Sequence, residues 1–212
     1  MIVINDYPDP FDAVLDFERA VAYYTGAPYC VVTDSLTHAM EIAFRLTFTR
    51  TEVAFPAHTY LSVLMTLEKL GIKYSLTGEL WTGEYEFKGS NIWDSARRFD
   101  RHMYRDGAIQ CVSFGRTKPL EIGRGGCLLT DNREVYEAAS CMRMDGRNIF
   151  KYKPWSTQGA FNLGFHYYMK PEDCVTGLNL LLDKKFTKQQ AEFYNYPDCR
   201  ELTITPYTRI SI

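Results

Sequence analysis

Between residues 10 and 144 the chain alternates short apolar runs with amphipathic stretches, and nothing else in the sequence limits the fold as tightly. The runs "PYCVVT" (28–33), "TEVAFP" (51–56), "AIQCVSF" (108–114) and "GGCLLTD" (125–131) have the length and content of buried strands. "IKYSLTG" (72–78) and "SNIWD" (90–94) are shorter candidates. Between them lie helical patterns. In 10–26, Val14, Leu15, Phe17, Val21 and Ala22 fall on one face and Gly26 supplies a stop. In 34–48, Asp34 and Ser35 offer caps, and Ala39, Met40, Ile42, Ala43 and Leu46 form a stripe. Residues 59–71, closed by Gly71, and 133–144 read as two more helices. Strands separated by amphipathic helices predict an α/β fold: a mainly parallel sheet with helices on both faces. Ligands in such folds bind beyond the carboxyl ends of the strands, where this order gathers Asp34-Ser35, Pro56 to Tyr60, Asp94 and Ser113 to Lys118.

The remaining 60-odd residues are less regular. Residues 145–173 are rich in aromatic and turn residues, and 172–196 regains helical periodicity. The tail "RELTITPYTRISI" alternates weakly, as an edge strand or a disordered end would. At 212 residues and 46% hydrophobic, the chain can bury one substantial core. Its formal net charge of −2 disfavours nucleic acid as a partner, because a phosphate backbone calls for a basic surface. No apolar run approaches the roughly 20 residues that span a bilayer, and the N-terminus lacks the pattern of a signal peptide, so the expected location is cytoplasmic. The six cysteines are widely spaced, form no metal-type pair and sit mostly in apolar runs, which predicts reduced core residues.

Lys118 raises the chemical question. It follows a strand-like run ending in Ser113-Phe114 and precedes Gly123, Gly125 and Gly126. A half-buried lysine loses its proton more easily, and a free amine can attack a carbonyl; most lysines, however, are solvated. The start of the helix after "VVTDS" favours an anion, with Ser35 and Thr37 as extra hydroxyl donors, although either Asp34 or Ser35 could simply be capping it. Asp94 can pair with a buried cation or cap the segment "SARRF". A phosphate site, a carboxylate and an amine together are what pyridoxal phosphate requires.

Five stretches in order give these residues a context: "FERAVAYYTGAPYCVVTDSLTHAMEIAF", "VAFPAHTYLSVLMTLEKLGI", "IWDSA", "SFGRTKPLEIGRGGCLLTDN" and "LGFHYYMKPEDCVTGLNLL". From about Phe17 to about Tyr194 the sequence resembles the DegT/DnrJ/StrS family of pyridoxal-phosphate-dependent sugar aminotransferases. The resemblance implies the large domain of the fold-type I aminotransferases, with the small C-terminal domain largely absent. It divides the chain into a cofactor-binding core over 1–150 and, over 151–212, an interface loop, a helix and a tail of the same domain. It implies Lys118 as the Schiff-base lysine, Asp94 at the pyridinium nitrogen, and Ser113, Ser35, Thr37 and the amides of Leu36 and Thr37 at the phosphate. Tyr60 would lie against the cofactor ring. His166, in a loop that reaches the neighbouring subunit in this family, would stand near the partner's phosphate in a homodimer. The implied substrates are a nucleotide-linked keto sugar and an amino donor such as glutamate.

The sequence also departs from the family pattern. Leu36 stands where glycine is usual and would put a branched side chain in the way of a ligand. Arg97 stands where glutamine or histidine usually faces the cofactor's ring hydroxyl. His166 and Tyr168 replace asparagine and arginine, and the segment between Gly71 and Asp94 is short. A relative that has lost catalysis, and binds a sugar nucleotide or assembles with a homologue, is the competing expectation.

Overall fold

The computed structural model describes residues 1–152, 154–183 and 196–205. Five α-helices and seven strands occur among them: α1 Pro10–Thr25, β1 Tyr29–Thr33, α2 Leu36–Thr47, β2 Glu52–Pro56, α3 Leu61–Leu70, β3 Lys73–Thr77, β4 Tyr85–Glu86, β5 Ile92–Ser95, β6 Ile109–Ser113, β7 Gly126–Thr130, α4 Arg133–Met142 and α5 Pro171–Leu182. The helix ends follow local chemistry. Asp9 caps α1 by accepting from the Phe11 amide, with Pro10 at the first helical position, and Gly26 closes it in the left-handed conformation. Ser35 caps α2 through the His38 amide, Gly71 ends α3, and Asn132 caps α4. The helical pattern expected over 172–196 is realised as α5; its later part, and the end of the tail, lie outside the described residues.

A five-stranded sheet runs in the order β1-β7-β6-β5-β4, and β2 and β3 form a separate parallel pair. Ala54 of β2 exchanges two backbone hydrogen bonds with Lys88, which brings that pair alongside the end of β4. The α/β class is as expected, but the large sheet is mixed rather than mainly parallel. Only β5 and β6 pair in parallel; β1–β7, β6–β7 and β4–β5 are antiparallel. The reason is connection length. Parallel neighbours need a crossover of about a dozen residues, usually a helix. β4 and β5 are joined by the short turn of residues 87–91, and β6 and β7 by a loop without a helix.

Both faces of the sheet are covered. Val31, Cys111 and Leu128 point to a core shared with Met40, Ile42 and Phe44 of α2 and Val63, Leu64 and Leu67 of α3. Their strand neighbours Val32, Val112, Cys127 and Leu129 point the other way, onto Val14, Phe17 and Val21 of α1 and Cys174 and Leu178 of α5. Five of the six cysteines are buried and all six are unpaired thiols. At the free edge of β1, a buried ion pair takes the place of another strand. Glu18 Oε1 accepts from the Val32 amide at 2.7 Å, Arg143 donates to the Val32 carbonyl, and the two side chains bond to each other. The edge that would otherwise offer unpaired backbone is thereby closed.

β7 is buried along its whole length between β1 and β6. A Cβ built on Gly126, its first residue, would lie 2.4 Å from the Leu36 nitrogen and 2.7 Å from the Val112 carbonyl oxygen. Both obstacles are backbone, so neither can rotate away. Gly126→Ala is expected to destabilise the fold by about 3 kcal/mol or more, the upper range for overpacking. Urea unfolding followed by circular dichroism measures it, and a loss below about 1 kcal/mol would contradict the close packing of α2 on β7.

Candidate active site

The strands β1, β5 and β6 share one direction, and β2 runs with them, so the ends of β1, β2 and β6 meet at one edge of the sheet. A cavity of about 440 Å³ opens there, within the usual size range of ligand pockets. The start of α2 lines it with Ser35, Leu36 and Thr37, the β2–α3 connection with Tyr60, β5 and the following turn with Asp94 and Arg97, and the end of β6 and its loop with Ser113 and Lys118. Eight of the nine site residues expected from the sequence therefore share one cavity. The ninth, His166, does not reach it; it is exposed, bonds to Asp145 at 3.1 Å, and lines a neighbouring hollow with Tyr168 and Lys170.

Lys118 is held by a loop closed on the backbone of Phe114. The Phe114 amide donates to the Gly125 carbonyl at 2.9 Å, and its carbonyl accepts from the Ile122 and Gly123 amides at 3.0 Å. Inside this loop Thr117 has φ 63, a left-handed conformation that costs a β-branched residue about 1–3 kcal/mol. The turn it makes brings the Lys118 amide to the Gly115 carbonyl at 3.3 Å and sends the lysine side chain into the cavity wall. There, among the described residues, its amine makes no hydrogen bond or ion pair. Burial pulls its pKa down, and the positive charge of Arg97 adds to that; only Asp94 opposes. The result is a lysine biased toward its free, nucleophilic amine.

Asp94 lies within β5, 3% exposed. Oδ1 accepts from the Ala96 amide at 2.9 Å, so the carboxylate does fold the following turn. Oδ2 accepts from the Tyr85 hydroxyl at 3.0 Å. Burial pushes its pKa up, against the Ala96 amide, Lys118 and Tyr85, each of which favours the anion. The carboxylate and the amine thus face one cavity, close enough to influence each other, yet they form no ion pair.

The start of α2 is fixed from several directions. Asp34 donates its amide to the Tyr167 carbonyl at 2.8 Å, and its carboxylate bonds to His38 and to Arg124. Burial raises the Asp34 pKa, but His38 and Arg124 outweigh it and hold the carboxyl below its ordinary value. Thr37 Oγ1 donates to Ser62 Oγ at 2.9 Å, and Ser113 Oγ accepts from the Gly115 amide at 3.3 Å, so hydroxyls from three elements line this end of the cavity. Leu36 is 8% exposed and joins the core beneath α2, where the helix start packs against Gly126, and it also contributes to the cavity lining. Tyr60, 62% exposed, stands at the mouth.

Sequence reading missed Tyr85, Trp81 and Arg124. Tyr85 belongs to a strand of two residues, too short for any periodicity to show. Arg124, between Gly123 and Gly125, was the one with a visible signal, a cation set among glycines beside the candidate lysine.

Comparison with known proteins places this geometry among relatives. Residues 8–76 and 96–196 match the model of the DegT/DnrJ/EryC1/StrS aminotransferase family. A UDP-4-amino-4,6-dideoxy-N-acetyl-beta-L-altrosamine transaminase of Campylobacter jejuni is 30% identical over 101 residues, 47% of this chain and 26% of that protein. Among solved structures, AtS13 from Actinomadura melliaura superposes with a TM-score of 0.66 at 19% identity, over 81% of this chain and 59% of its own. NtdA from Bacillus subtilis, solved with bound cofactor PMP, gives 0.63 at 17% identity, over 80% and 47%. The chain therefore spans roughly half or less of most of these proteins. The structural likenesses establish the fold: that of these fold-type I enzymes, carried by a large domain.

A carboxyl whose pKa is higher folded than unfolded weakens the fold at every pH above the folded value; the cost disappears below the unfolded value of about 4. Asp94→Asn is therefore expected to raise the melting temperature of the ligand-free protein at pH 7, with a gain that shrinks as pH is lowered toward 4. Calorimetric scans across that range test it, and a lower melting temperature at pH 7 would contradict the stated balance of burial against its three counter-effects.

Proposed function

The chain belongs to the DegT/DnrJ/EryC1/StrS aminotransferase family, and from that membership we propose that it is a pyridoxal-phosphate-dependent aminotransferase acting on a nucleotide-linked keto sugar. The observation that carries the reading is the pair formed by Lys118 and Asp94, an amine biased toward its free form and a buried carboxylate, facing one cavity without neutralising each other.

The residues present fit the cofactor. Asp94 keeps two oxygens in a buried position suited to a protonated ring nitrogen, and Lys118 offers the amine for the aldehyde. Ser113, Ser35, Thr37 and the first-turn amides of α2 form the end of the cavity suited to a phosphate, where helix N–H groups point outward. Tyr60 supplies an aromatic wall at the mouth. When bound, the cofactor supplies an electron sink for the carbon that loses its proton. With the cofactor and an amino donor such as glutamate in the cavity, the Lys118 amine would take that proton and return it. Burial, with Arg97 adding to it, keeps the lysine from holding its own proton too tightly. His166, turned away from this cavity, belongs in this reading to the phosphate site of a second copy in a homodimer.

The likeness to the altrosamine transaminase supports the substrate class. The purified protein mixed with pyridoxal phosphate is expected to show a visible absorption band, and borohydride should trap the label on the peptide containing Lys118. Lys118→Ala should abolish the band and lower transamination by roughly 10²–10⁴-fold or more. Absence of the band in the unaltered protein would overturn the proposal in favour of a non-catalytic relative.

A further inference from the structure

Beneath the cavity lies a buried chain of hydroxyls that the proposed chemistry does not use. Tyr85 sits directly opposite Asp94 in the β4–β5 pairing, 4% exposed, and its hydroxyl is 3.0 Å from Asp94 Oδ2. Thr59 Oγ1, 1% exposed, is 2.7 Å from the same hydroxyl. An ionised carboxylate only accepts, so the single Tyr85 proton points to Asp94 and the Thr59 hydroxyl must donate to Tyr85. Thr59 is itself held from both sides: its amide donates to the Ala57 carbonyl at 3.1 Å, and Cys199 Sγ lies 3.5 Å from its carbonyl oxygen. The Tyr85 ring is locked between Trp81 and Phe87, with ring centres at 4.9 and 5.4 Å.

We propose that Thr59 and Tyr85 form a positioning relay that orients the Asp94 carboxylate toward a ring nitrogen in the cavity, an assignment that rests on the function proposed above. With Ala96 on one oxygen and Tyr85 on the other, the plane of the carboxylate is fixed and its outer lone pairs are left to the cavity. Both donors favour the anion, which burial alone would disfavour. Thr59 also lines the cavity, so the relay runs from its wall to the carboxylate. Tyr85 and Asp94 both lie between the two stretches that match the family model, so the arrangement is read from this chain's own residues.

Three titratable groups bear on Asp94: Tyr85 from β4, Cys111 as its register partner on β6, and Lys118 from the loop after β6, which itself feels the charge of Arg97. Tyr85→Phe removes one hydroxyl, keeps the ring packing and leaves the other two in place. The test follows the carboxyl of Asp94 in the cofactor-free protein by carbon NMR of labelled aspartate, assigned by its loss in Asp94→Asn. Tyr85→Phe is expected to move its titration upward by about one pH unit, the scale of a hydrogen bond to a charged group. Thr59→Val should move it the same way by less. An unmoved titration in Tyr85→Phe overturns the relay; if that variant does not fold, an unmoved titration in Thr59→Val does so. Calorimetry adds an independent arm, with the dissociation constant of pyridoxal phosphate expected to rise about tenfold in Tyr85→Phe. A protein that binds no pyridoxal phosphate would sink the proposed function, whereas the titration judges the relay by itself.

Discussion

The return of the chain into the middle of its own sheet is the constraint from which the site follows. β7 enters between β1 and β6 against the direction of both, and every residue of it is buried. The loop that precedes it must therefore double back over the sheet's edge, and it does so by closing on Phe114. Lys118 is carried on that loop. At the same step Gly126 lets the backbone at Leu36 pack directly onto β7, which seats the start of α2 beside the lysine. One strand insertion thus places the amine and the helix terminus around one cavity, and a side chain at position 126 would disturb both.

The charges at the site are arranged differently from those elsewhere. Where the fold needs a buried acid, it gives it close cationic partners: Glu41 with Arg45 and Lys69, Glu84 with Arg98 and Arg105, Glu18 with Arg143. Glu41 and Glu84 are held below their ordinary pKa by those partners, despite burial. Asp94 contrasts in its partners, two neutral donors; burial raises its pKa, as burial raises that of Glu18 even beside Arg143. An acid left without an adjacent cation in a protein that pairs its other buried acids is poised for an external partner, at some cost in stability.

The helices, their stops and most of the strands were legible because capping residues and apolar periodicity act locally. Ser35, Gly26 and Gly71 end or begin helices where the sequence placed them. The direction of β7 was not legible from strand content, since "GGCLLT" reads the same either way; what decides it is a loop too irregular to cross over. β4 was missed because two residues carry no period, and with it went Tyr85. Eight of the nine candidate residues converge because they follow strands that run together, a topological rule, whereas the depth to which Leu36 packs into the core is not written in the motif, which does not say which way a side chain turns at a helix start. The conformation at Thr117, in which the lysine's placement is rooted, has no sequence signal either: nothing about a threonine announces a left-handed turn.

Arg97 is where sequence and structure together change the argument. Read from the sequence, a permanent charge in place of glutamine or histidine counts against a working site. In the structure Arg97 is 3% exposed, tied by its amide to the Gly83 carbonyl, and its charge acts on Lys118. It shares the cavity lining with Lys118 and with the guanidinium groups of Arg116 and Arg124, beside the carboxylates of Asp34 and Asp94. Asp34 is already occupied by His38 and Arg124. Basic side chains in the wall of a partly enclosed cavity favour an anion. A ligand with a phosphate suits such a lining, next to a lysine whose pKa is lowered by burial first and by Arg97 in addition.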